Sequence, residues 1–216
     1  MPSVIAFVSQ MGGVGKSTLA RALVREGAAG GLRVKLADLD TQQGTSVDWH
    51  RARMDAGIEP SVSAEAFKTA AQALAVAGQY NILILDGPAR TSQATLDIAR
   101  ASNLVVQPTG ASLDDLRPAV REFHALVKAG VPRDRLTFAL NRIGTDAEEA
   151  DAHAYLTEAG YAVLAGCLVE RPAYRKAQNA GYSVTETRYA ALNVRADALI
   201  QSLIDATEWS WLTCQS

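Results

Sequence analysis

The chain has 216 residues, of which 48% are hydrophobic and 20% are charged, and its formal net charge at pH 7 is −2. These values are typical of one globular domain with a substantial core, and we expect a single domain over residues 1–216. They exclude a polycation, so any binding of nucleic acid requires a local patch or an assembled surface.

Short apolar runs alternate with longer amphipathic segments, which predicts an α/β fold with a doubly wound, mostly parallel sheet flanked by helices. The apolar run at 82–85 is typical of a strand that is covered on both faces. We predict strands over 4–9, 34–38, 81–86, 104–107, 136–141 and part of 161–168. We predict helices over 16–28, 46–54, 64–77, 91–101, 113–128, 146–158, 172–180 and 194–205.

Local signals support two of these helix bounds. Thr145 followed by Glu148 forms the pattern of a capping box, which predicts that a helix begins at residue 146. The Gly130-Val131-Pro132 segment predicts that the preceding helix has ended before it.

A glycine-rich segment follows the first predicted strand: residues 9–18 read Ser-Gln-Met-Gly-Gly-Val-Gly-Lys-Ser-Thr. Between a strand and a helix, such a segment directs several backbone N–H groups at one point, and the helix dipole and the charge of Lys16 add to them. Ser17 has the hydroxyl that such loops place on Mg²⁺. The usual G-x-x-x-x-G-K-[ST] spacing requires glycine where this chain has Gln10. The segment is therefore predicted to be a variant phosphate-binding loop.

Carboxylates stand at the ends of two further predicted strands, Asp38 and Asp40 at one and Asp86 at the other. Because ligands bind beyond the carboxyl ends of parallel strands, we expect these acids on the same rim as Lys16 and Ser17. A nucleotide with Mg²⁺ needs hard oxygen ligands and a group that orients the attacking water. A single acid at a strand end can simply be solvated or cap the next helix, but the combination predicts a nucleotide site.

The loop resembles that of the deviant Walker A family of ATPases, which includes the ParA-type partition proteins, MinD and the nitrogenase iron protein. The family pattern is K-G-G-x-G-K-[ST], and its signature lysine is replaced here by Met11. The resemblance covers nearly the whole chain and extends to the small, ParF-like partition ATPases without an additional N-terminal domain. It implies a P-loop NTPase that hydrolyses ATP to ADP and phosphate with Mg²⁺ as cofactor. It places ATP against Met11, Gly12, Gly13, Val14, Gly15, Lys16, Ser17 and Thr18.

The resemblance also assigns roles to the acids. The segment Asp38-Leu39-Asp40-Thr41-Gln42 resembles the family motif D-x-D-P-Q, with threonine in place of proline. It implies that Asp40 orients the hydrolytic water and that Asp38 and Lys16 assist catalysis. It further implies that Asp86, as the Walker B aspartate, holds Mg²⁺ with Ser17 and Asp38, partly through water. Gly87 is then the switch residue that senses the γ-phosphate.

Two other strand ends match the family more weakly. Asn141, followed by Arg142, resembles the asparagine that contacts adenine in relatives, and its amide can both donate and accept hydrogen bonds. Pro108 ends a strand whose counterpart in relatives lines the nucleotide site. Ordinary loop chemistry explains both matches about as well.

In the family, the signature lysine reaches across a dimer to the partner's ATP, much as an arginine finger does. Met11 has no charge, so we expect that hydrolysis is slow or that another cation acts there. Arg90, in the predicted switch region, is the first candidate and Arg142 the second. Either arginine can instead form a surface ion pair, and an engineered Met11 is a further alternative.

The resemblance implies a homodimer with ATP that binds DNA non-specifically, associates with the nucleoid and segregates plasmid or chromosomal DNA. A centromere-binding or cargo adaptor protein would stimulate hydrolysis. Such DNA binding requires clustered cations, and residues 171–195 hold five basic residues against Glu186, a local charge of +4. A solvated helix face is the alternative. The five residues are Arg171, Arg175, Lys176, Arg188 and Arg195.

Other functions of related proteins remain as alternatives. A ParA-like protein can position a protein cargo such as a carboxysome. A MinD-like membrane ATPase needs a basic amphipathic tail, whereas residues 199–216 contain Trp209, Trp211 and Leu212 but no lysine or arginine, so we expect no membrane binding. We find no motif for the second substrate of a biotin- or cobalamin-pathway ligase. Cys167 and Cys214 fit neither an iron–sulfur cluster nor a disulfide framework, which indicates a reducing cytoplasm.

Overall fold

The computed structural model describes residues 2–89 and 92–207. Seven parallel strands form one sheet in the order β3-β2-β4-β1-β5-β6-β7. The chain winds outward from β1 in both directions, so the predicted doubly wound α/β fold is confirmed. The strands are β1 (Ser3–Phe7), β2 (Val34–Asp38), β3 (Ser63–Ala66), β4 (Ile82–Asp86), β5 (Leu104–Thr109), β6 (Leu136–Ile143) and β7 (Ala162–Val169).

Helices connect the strands, and strands β2, β4 and β5 are buried at every residue because helices cover both of their faces. Within the described ranges, no helix is both long and apolar enough to cross a lipid bilayer. The helices are α1 (Lys16–Ala29), α2 (Thr45–Asp55), α3 (Ala70–Ala75), α4 (Ser92–Ala101), α5 (Leu113–Lys128), α6 (Asp146–Glu158), α7 (Pro172–Asn179) and α8 (Ala190–Ala206).

The predicted helix over 64–77 is wrong at its start. Residues Ser63–Ala66 form β3 instead, which pairs in parallel with β2 at the edge of the sheet. The Lys35 side chain holds this edge strand, because its ammonium donates to Glu65 at 2.7 Å and to Ser63 at 3.2 Å. The alanine-rich sequence favours a helix locally, but pairing with β2 overrides that propensity. Helix α3 begins only at Ala70, and the side chain of Thr69 caps it by accepting from the backbone N–H of Gln72.

Other predicted bounds agree more closely with the structure. The capping box of α6 is confirmed, since the Thr145 side chain accepts from the backbone N–H of Glu148 and the Glu148 side chain accepts in return. Helix α8 begins at Ala190, four residues before the predicted start. Arg90 and the tail residues Trp209, Trp211, Leu212 and Cys214 lie outside the described residues.

The register of the central strands places the predicted functional residues side by side. Asp86 at the end of β4 is level with Phe7 at the end of β1 on one side and with Asp38 at the end of β2 on the other. The glycine-rich loop leaves β1 at this level. It therefore lies at the point where the winding direction reverses, which is where ligands of such sheets bind.

A buried ion pair joins α2 to the segment that precedes α8. Arg53 is only 1% exposed, and its guanidinium donates to Glu186 at 2.7 and 3.0 Å and to the carbonyl of Gly181 at 3.2 Å. Burial alone would raise the pKa of Glu186, but hydrogen bonds from Arg53 and from the backbone of Ser183 bring it below its ordinary value. Removal of Arg53 would leave the carboxylate of Glu186 in the interior with one charged partner fewer.

We expect Arg53→Met to lower the free energy of unfolding by about 1.5–3 kcal/mol, because Glu186 loses its charge-assisted hydrogen bonds from Arg53 and keeps Arg25 as a partner. Urea denaturation measures this change. Arg51→Met in the same helix is the matched control, since Arg51 forms an exposed pair with Asp48, and its effect should stay below about 1 kcal/mol. Equal effects of the two substitutions would contradict this assignment.

Candidate functional site

The loop between β1 and α1 has a backbone that only glycine can adopt at its last position. Gly15 caps α1 with a φ of 109°, and a Cβ atom there would lie 1.9 Å from the side-chain nitrogen of Asn141. Gly87 meets a similar restriction, since a Cβ atom would lie 2.8 Å from the carbonyl oxygen of Phe7. These two glycines allow the loop, β1 and the end of β4 to approach each other closely.

Lys16 is buried beneath the loop, and no carboxylate of the described residues forms an ion pair with it. Its ammonium donates to the backbone carbonyls of Ser9 and Met11, both at 3.3 Å. Burial lowers the pKa of Lys16, and the negative charges of Asp86 and Glu122 oppose that shift. The loop carbonyls thus hold a cation that can exchange these weak contacts for a phosphate.

Asp86 is fully buried beside two hydroxyl groups. Its Oδ2 accepts from the Ser46 hydroxyl at 2.8 Å, and the Ser17 hydroxyl also donates to the carboxylate. Burial raises the pKa of Asp86 to about 6, although both hydrogen bonds lower it. Its Oδ1 has no hydrogen-bond partner among the residues that the structure describes. An oxygen with spare capacity beside the Ser17 hydroxyl fits the predicted Mg²⁺ site, with Ser17 as a direct ligand and Asp86 acting through water.

Asp38 organises the backbone around this site. Its Oδ1 accepts from the backbone N–H of Asp40 at 3.0 Å, and its Oδ2 accepts from those of Ser46 at 2.9 Å and Val47 at 3.4 Å. Burial raises the pKa of Asp38 despite these three bonds. Asp38 therefore positions the Asp40 segment and the start of α2, while its role in holding Mg²⁺ stays a prediction.

A cavity of about 550 Å³ opens over the loop and brings eight of the predicted site residues together. Asp40 is half-buried at its wall, where its carboxylate accepts from the backbone N–H of Gln43 at 3.2 Å. The predicted residues that line this cavity are Gly12, Gly13, Gly15, Lys16, Ser17, Thr18, Asp40 and Gly87.

Two side chains in this cavity were missed by the sequence analysis. Arg21 donates to the Ser46 hydroxyl at 3.3 Å and to the Gln178 amide oxygen at 3.0 Å. Gln178 in turn donates to the Thr18 hydroxyl at 3.3 Å, so it joins α7 to α1. Burial lowers the pKa of Arg21, opposed by the charges of Asp86 and Asp38. The spacing of Arg21 four residues after Ser17 is the one signal in the sequence that places both on the same helix face.

A second cavity, of about 380 Å³, lies on the other side of the loop. Its wall includes Asn141, which donates to the carbonyl of Val14 at 2.6 Å and accepts from the backbone N–H of Arg142. Arg142 has a left-handed backbone with a φ of 61°, donates to the carbonyl of Gly13 at 3.3 Å and pairs with Glu170 at 3.2 Å. Both side chains thus support the loop from behind and retain capacity for a ligand.

The structure does not bring Pro108 to either cavity. Pro108 is buried within β5 and lies level with Ala139 of β6. The neighbouring Gln107 instead donates to Glu122 at 2.8 Å, and Glu122 accepts from the backbone N–H of Gln10 at 3.1 Å. These two side chains hold the start of the loop, and no sequence signal indicated this role for Glu122.

The five basic residues of 171–195 differ in their surroundings. Arg175 pairs with Glu170, which lies just before residue 171, and Arg195 pairs with Asp146 at 2.9 Å. The remaining three form no ion pair in the described part of the chain and line one groove between α7 and the start of α8. These three are Arg171, Lys176 and Arg188.

We expect Glu122→Gln to change how stability depends on pH. Burial raises the pKa of Glu122, against the hydrogen bond from Gln10 and the charge of Lys16, so the folded chain keeps this proton to a higher pH than the unfolded chain. The resulting cost of ionisation in the folded state is absent below the unfolded pKa and complete above the folded pKa.

The gain in free energy of unfolding from Glu122→Gln should therefore grow as the pH rises from the ordinary pKa of glutamate, about 4, through the raised pKa of the folded chain, as measured by urea denaturation without nucleotide. The introduced amide can donate to Gln107 Oε1, which has no partner among the described residues. Glu158→Gln, at an exposed position of α6, is the control and should show no such trend. A flat difference for Glu122→Gln would contradict the raised pKa.

The fold and the sequence were compared with known proteins. The family model described as "CobQ/CobB/MinD/ParA nucleotide binding domain" matches residues 5–184. A comparison of the sequence with curated proteins found no match.

Several solved structures share the fold. MinD of Pyrococcus horikoshii, complexed with Mg-ADP, has a TM-score of 0.76 at 17% identity, with 100% of both chains covered. The ATP complex of Cyanothece McdA(D38A) has a TM-score of 0.68 at 16% identity, with 94% of this chain and 96% of that chain covered. A Borrelia burgdorferi protein assigned to plasmid partition, bound to AMPPNP, has a TM-score of 0.69 at 14% identity, with 95% and 99% covered.

These identities show a common fold and no more, but the family model covers most of the chain. The loop, the acids at the strand ends and the sheet topology agree with that match, which confirms the resemblance at the level of the superfamily. The chain belongs to the CobQ/CobB/MinD/ParA family of nucleotide-binding domains.

Proposed function

We propose that the chain is a ParA-type ATPase that binds ATP with Mg²⁺, dimerises in that state and binds DNA non-specifically to segregate plasmid or chromosomal DNA. The observation that carries this proposal is the convergence of Lys16, Ser17 and Asp40 on one cavity at the reversal point of the sheet, with the buried Asp86 next to Ser17. The ligands in the names of the similar structures, Mg-ADP, ATP and AMPPNP, support the choice of nucleotide.

The phosphates fit the larger cavity. The N–H groups at the start of α1 point into the loop, and Lys16 can leave the carbonyls of Ser9 and Met11 for phosphate oxygens. Mg²⁺, when bound, would neutralise charge on the β- and γ-phosphates. Ser17 and the unpartnered Oδ1 of Asp86 are the groups that would hold it.

Asp40 is the group that orients the attacking water in this proposal. It stands at the cavity wall on a backbone that Asp38 and Gln43 fix by hydrogen bonds. From this wall its carboxylate can accept a hydrogen bond from the attacking water and align that water with the γ-phosphate.

The smaller cavity would take the adenosine. Asn141 uses one N–H on the carbonyl of Val14 and one lone pair on the N–H of Arg142, which leaves one donor and one acceptor site for a base edge. Pro108 is not needed for this arrangement.

The contacts of the described arginines indicate which of them is better placed to replace the signature lysine. Arg142 is already held by Glu170 and by the carbonyl of Gly13, so its use across a dimer would require it to leave both. Arg21 lies in the phosphate cavity itself, and its two hydrogen-bond acceptors, Ser46 and Gln178, are neutral. Within a single chain Arg21 is therefore better placed than Arg142, and in this proposal hydrolysis is slow because Met11 brings no charge to the partner's site.

We expect Met11→Lys to raise the steady-state rate of ATP hydrolysis by roughly 10-fold or more, because a cation acting in trans can contribute roughly 10³-fold. Asp40→Ala should abolish hydrolysis while it leaves binding of a fluorescent ATP analogue intact, and it provides the background rate. An unchanged rate in Met11→Lys, with Arg21→Ala inactive, would show that a cation within the chain already supplies the charge. Loss of nucleotide binding in Lys16→Ala is the outcome that the ATPase proposal requires.

The test of DNA binding is a titration of duplex DNA with ATP, with ADP and without nucleotide, at two salt concentrations. We expect binding only with ATP, and a salt dependence whose slope falls by about one when Arg175→Ala is combined with Lys176→Ala, because Glu170 already neutralises Arg175. Arg117→Ala combined with Arg121→Ala, on α5, is the matched control. Binding that is insensitive to nucleotide or to salt would reject the partition role and reopen the membrane-surface and ligase alternatives.

A further inference from the structure

A largely apolar groove of about 980 Å³ lies between α7 and the segment that leads into α8. Its floor consists largely of small apolar side chains, among them Ala173, Ala177 and Leu192. Tyr182 and Tyr189 stand at its edge and are 41% and 44% exposed. Exposed apolar patches of this kind mark interaction sites in soluble proteins.

The charge around the groove is positive. Arg171, Lys176 and Arg188 line it, and none of them forms an ion pair in the part of the chain that the structure describes. Glu186 also lines the groove, but its carboxylate is engaged by Arg53 at 2.7 Å and by Arg25 at 2.9 Å. An occupant therefore meets three uncompensated cations above an apolar floor.

We propose that this groove binds an acidic amphipathic helix of a partner protein. Apolar side chains of such a helix would fill the floor between Ala173 and Leu192, and its carboxylates would pair with the three cations. This proposal deepens the proposed function, since it assigns a docking surface and a chemical class to the adaptor.

A nucleic acid fits the same surface less well. Phosphates would use the cations but would leave the apolar floor exposed, and base stacking needs a free aromatic face. Tyr189 is already covered by the guanidinium of Arg188, whose centre lies 4.8 Å from the ring. The floor and this covered ring favour a peptide over a base.

Helix α7, which forms one side of the groove, also contacts the proposed phosphate site. Helix α7 contributes Lys176 to the groove and Gln178 to the cavity of about 550 Å³ over the loop. Gln178 bonds to Arg21 and Thr18, so a partner that shifts α7 disturbs the contacts of Arg21 with Ser46 beside Asp86. A helix docked here thus has a physical route to the site of hydrolysis.

The first experiment measures fluorescence anisotropy of a labelled 16-residue peptide with leucines on one helical face and glutamates on the other, against the full chain without nucleotide. We expect binding that weakens with salt. A peptide with lysines in place of the glutamates, and one with serines in place of the leucines, should each bind at least about 10-fold more weakly. Equal binding of the three peptides would overturn the proposal.

Substitutions locate the site. Lys176→Glu should weaken the acidic peptide about 10-fold, and Tyr182→Ser should weaken it by a similar factor because it removes an edge of the groove. Arg121→Glu on α5 and the exposed Leu113→Ser are the matched controls and should leave the affinity unchanged. Circular dichroism confirms that each variant is folded.

Duplex DNA distinguishes the two kinds of occupant. Tyr182→Ser should leave ATP-dependent DNA binding unchanged, whereas Lys176→Glu should weaken both ligands. Loss of DNA binding in Tyr182→Ser, without loss of peptide binding, would assign the groove to nucleic acid and reject the peptide. Because the peptide titration contains no nucleotide, its result does not depend on whether the chain hydrolyses ATP.

Discussion

The buried carboxylate of Asp86 is the constraint on which the rest of the site depends. Its charge lies at the end of the central strand β4, where burial makes ionisation costly enough to raise its pKa to about 6. The fold offsets that cost with hydroxyl donors from two helices, Ser17 of α1 and Ser46 of α2, and with the nearby charge of Arg21. In the proposed function, a metal–nucleotide complex bound at Ser17 and Asp86 would add to the same compensation.

The sequence predicts those parts of the site whose residues lie close together in short segments. The loop around Lys16, and the acids that follow apolar runs, are local patterns, and parallel pairing brings strand ends to one rim. Arg21, Glu122 and Gln178 acquire their roles only because their helices pack together in the folded chain. No short sequence pattern therefore predicts these roles. The start of the predicted helix at 64 failed for the same reason, since pairing with β2 decides the conformation there.

The charge of the surface illustrates a related limit. A count over residues 171–195 gives +4, but Glu170 and Asp146 neutralise two of those cations across element boundaries. The three that remain surround an apolar groove rather than a flat basic face. A local net charge therefore identifies a region of interest, while its chemistry as a binding surface depends on which cations keep their charge uncompensated.

Helix α7 gives these observations a common mechanical element. Lys176 lines the groove, and Gln178, two residues later on a different side of the helix, lines the cavity of about 550 Å³ and accepts a hydrogen bond from Arg21. A rigid helix with eight residues cannot move at one of these contacts without moving at the other. If Met11 leaves hydrolysis without a cation from the partner subunit, the placement of Arg21 becomes the adjustable part of the site. Control of the rate by a docked partner is then a matter of repositioning a charge that the chain already has.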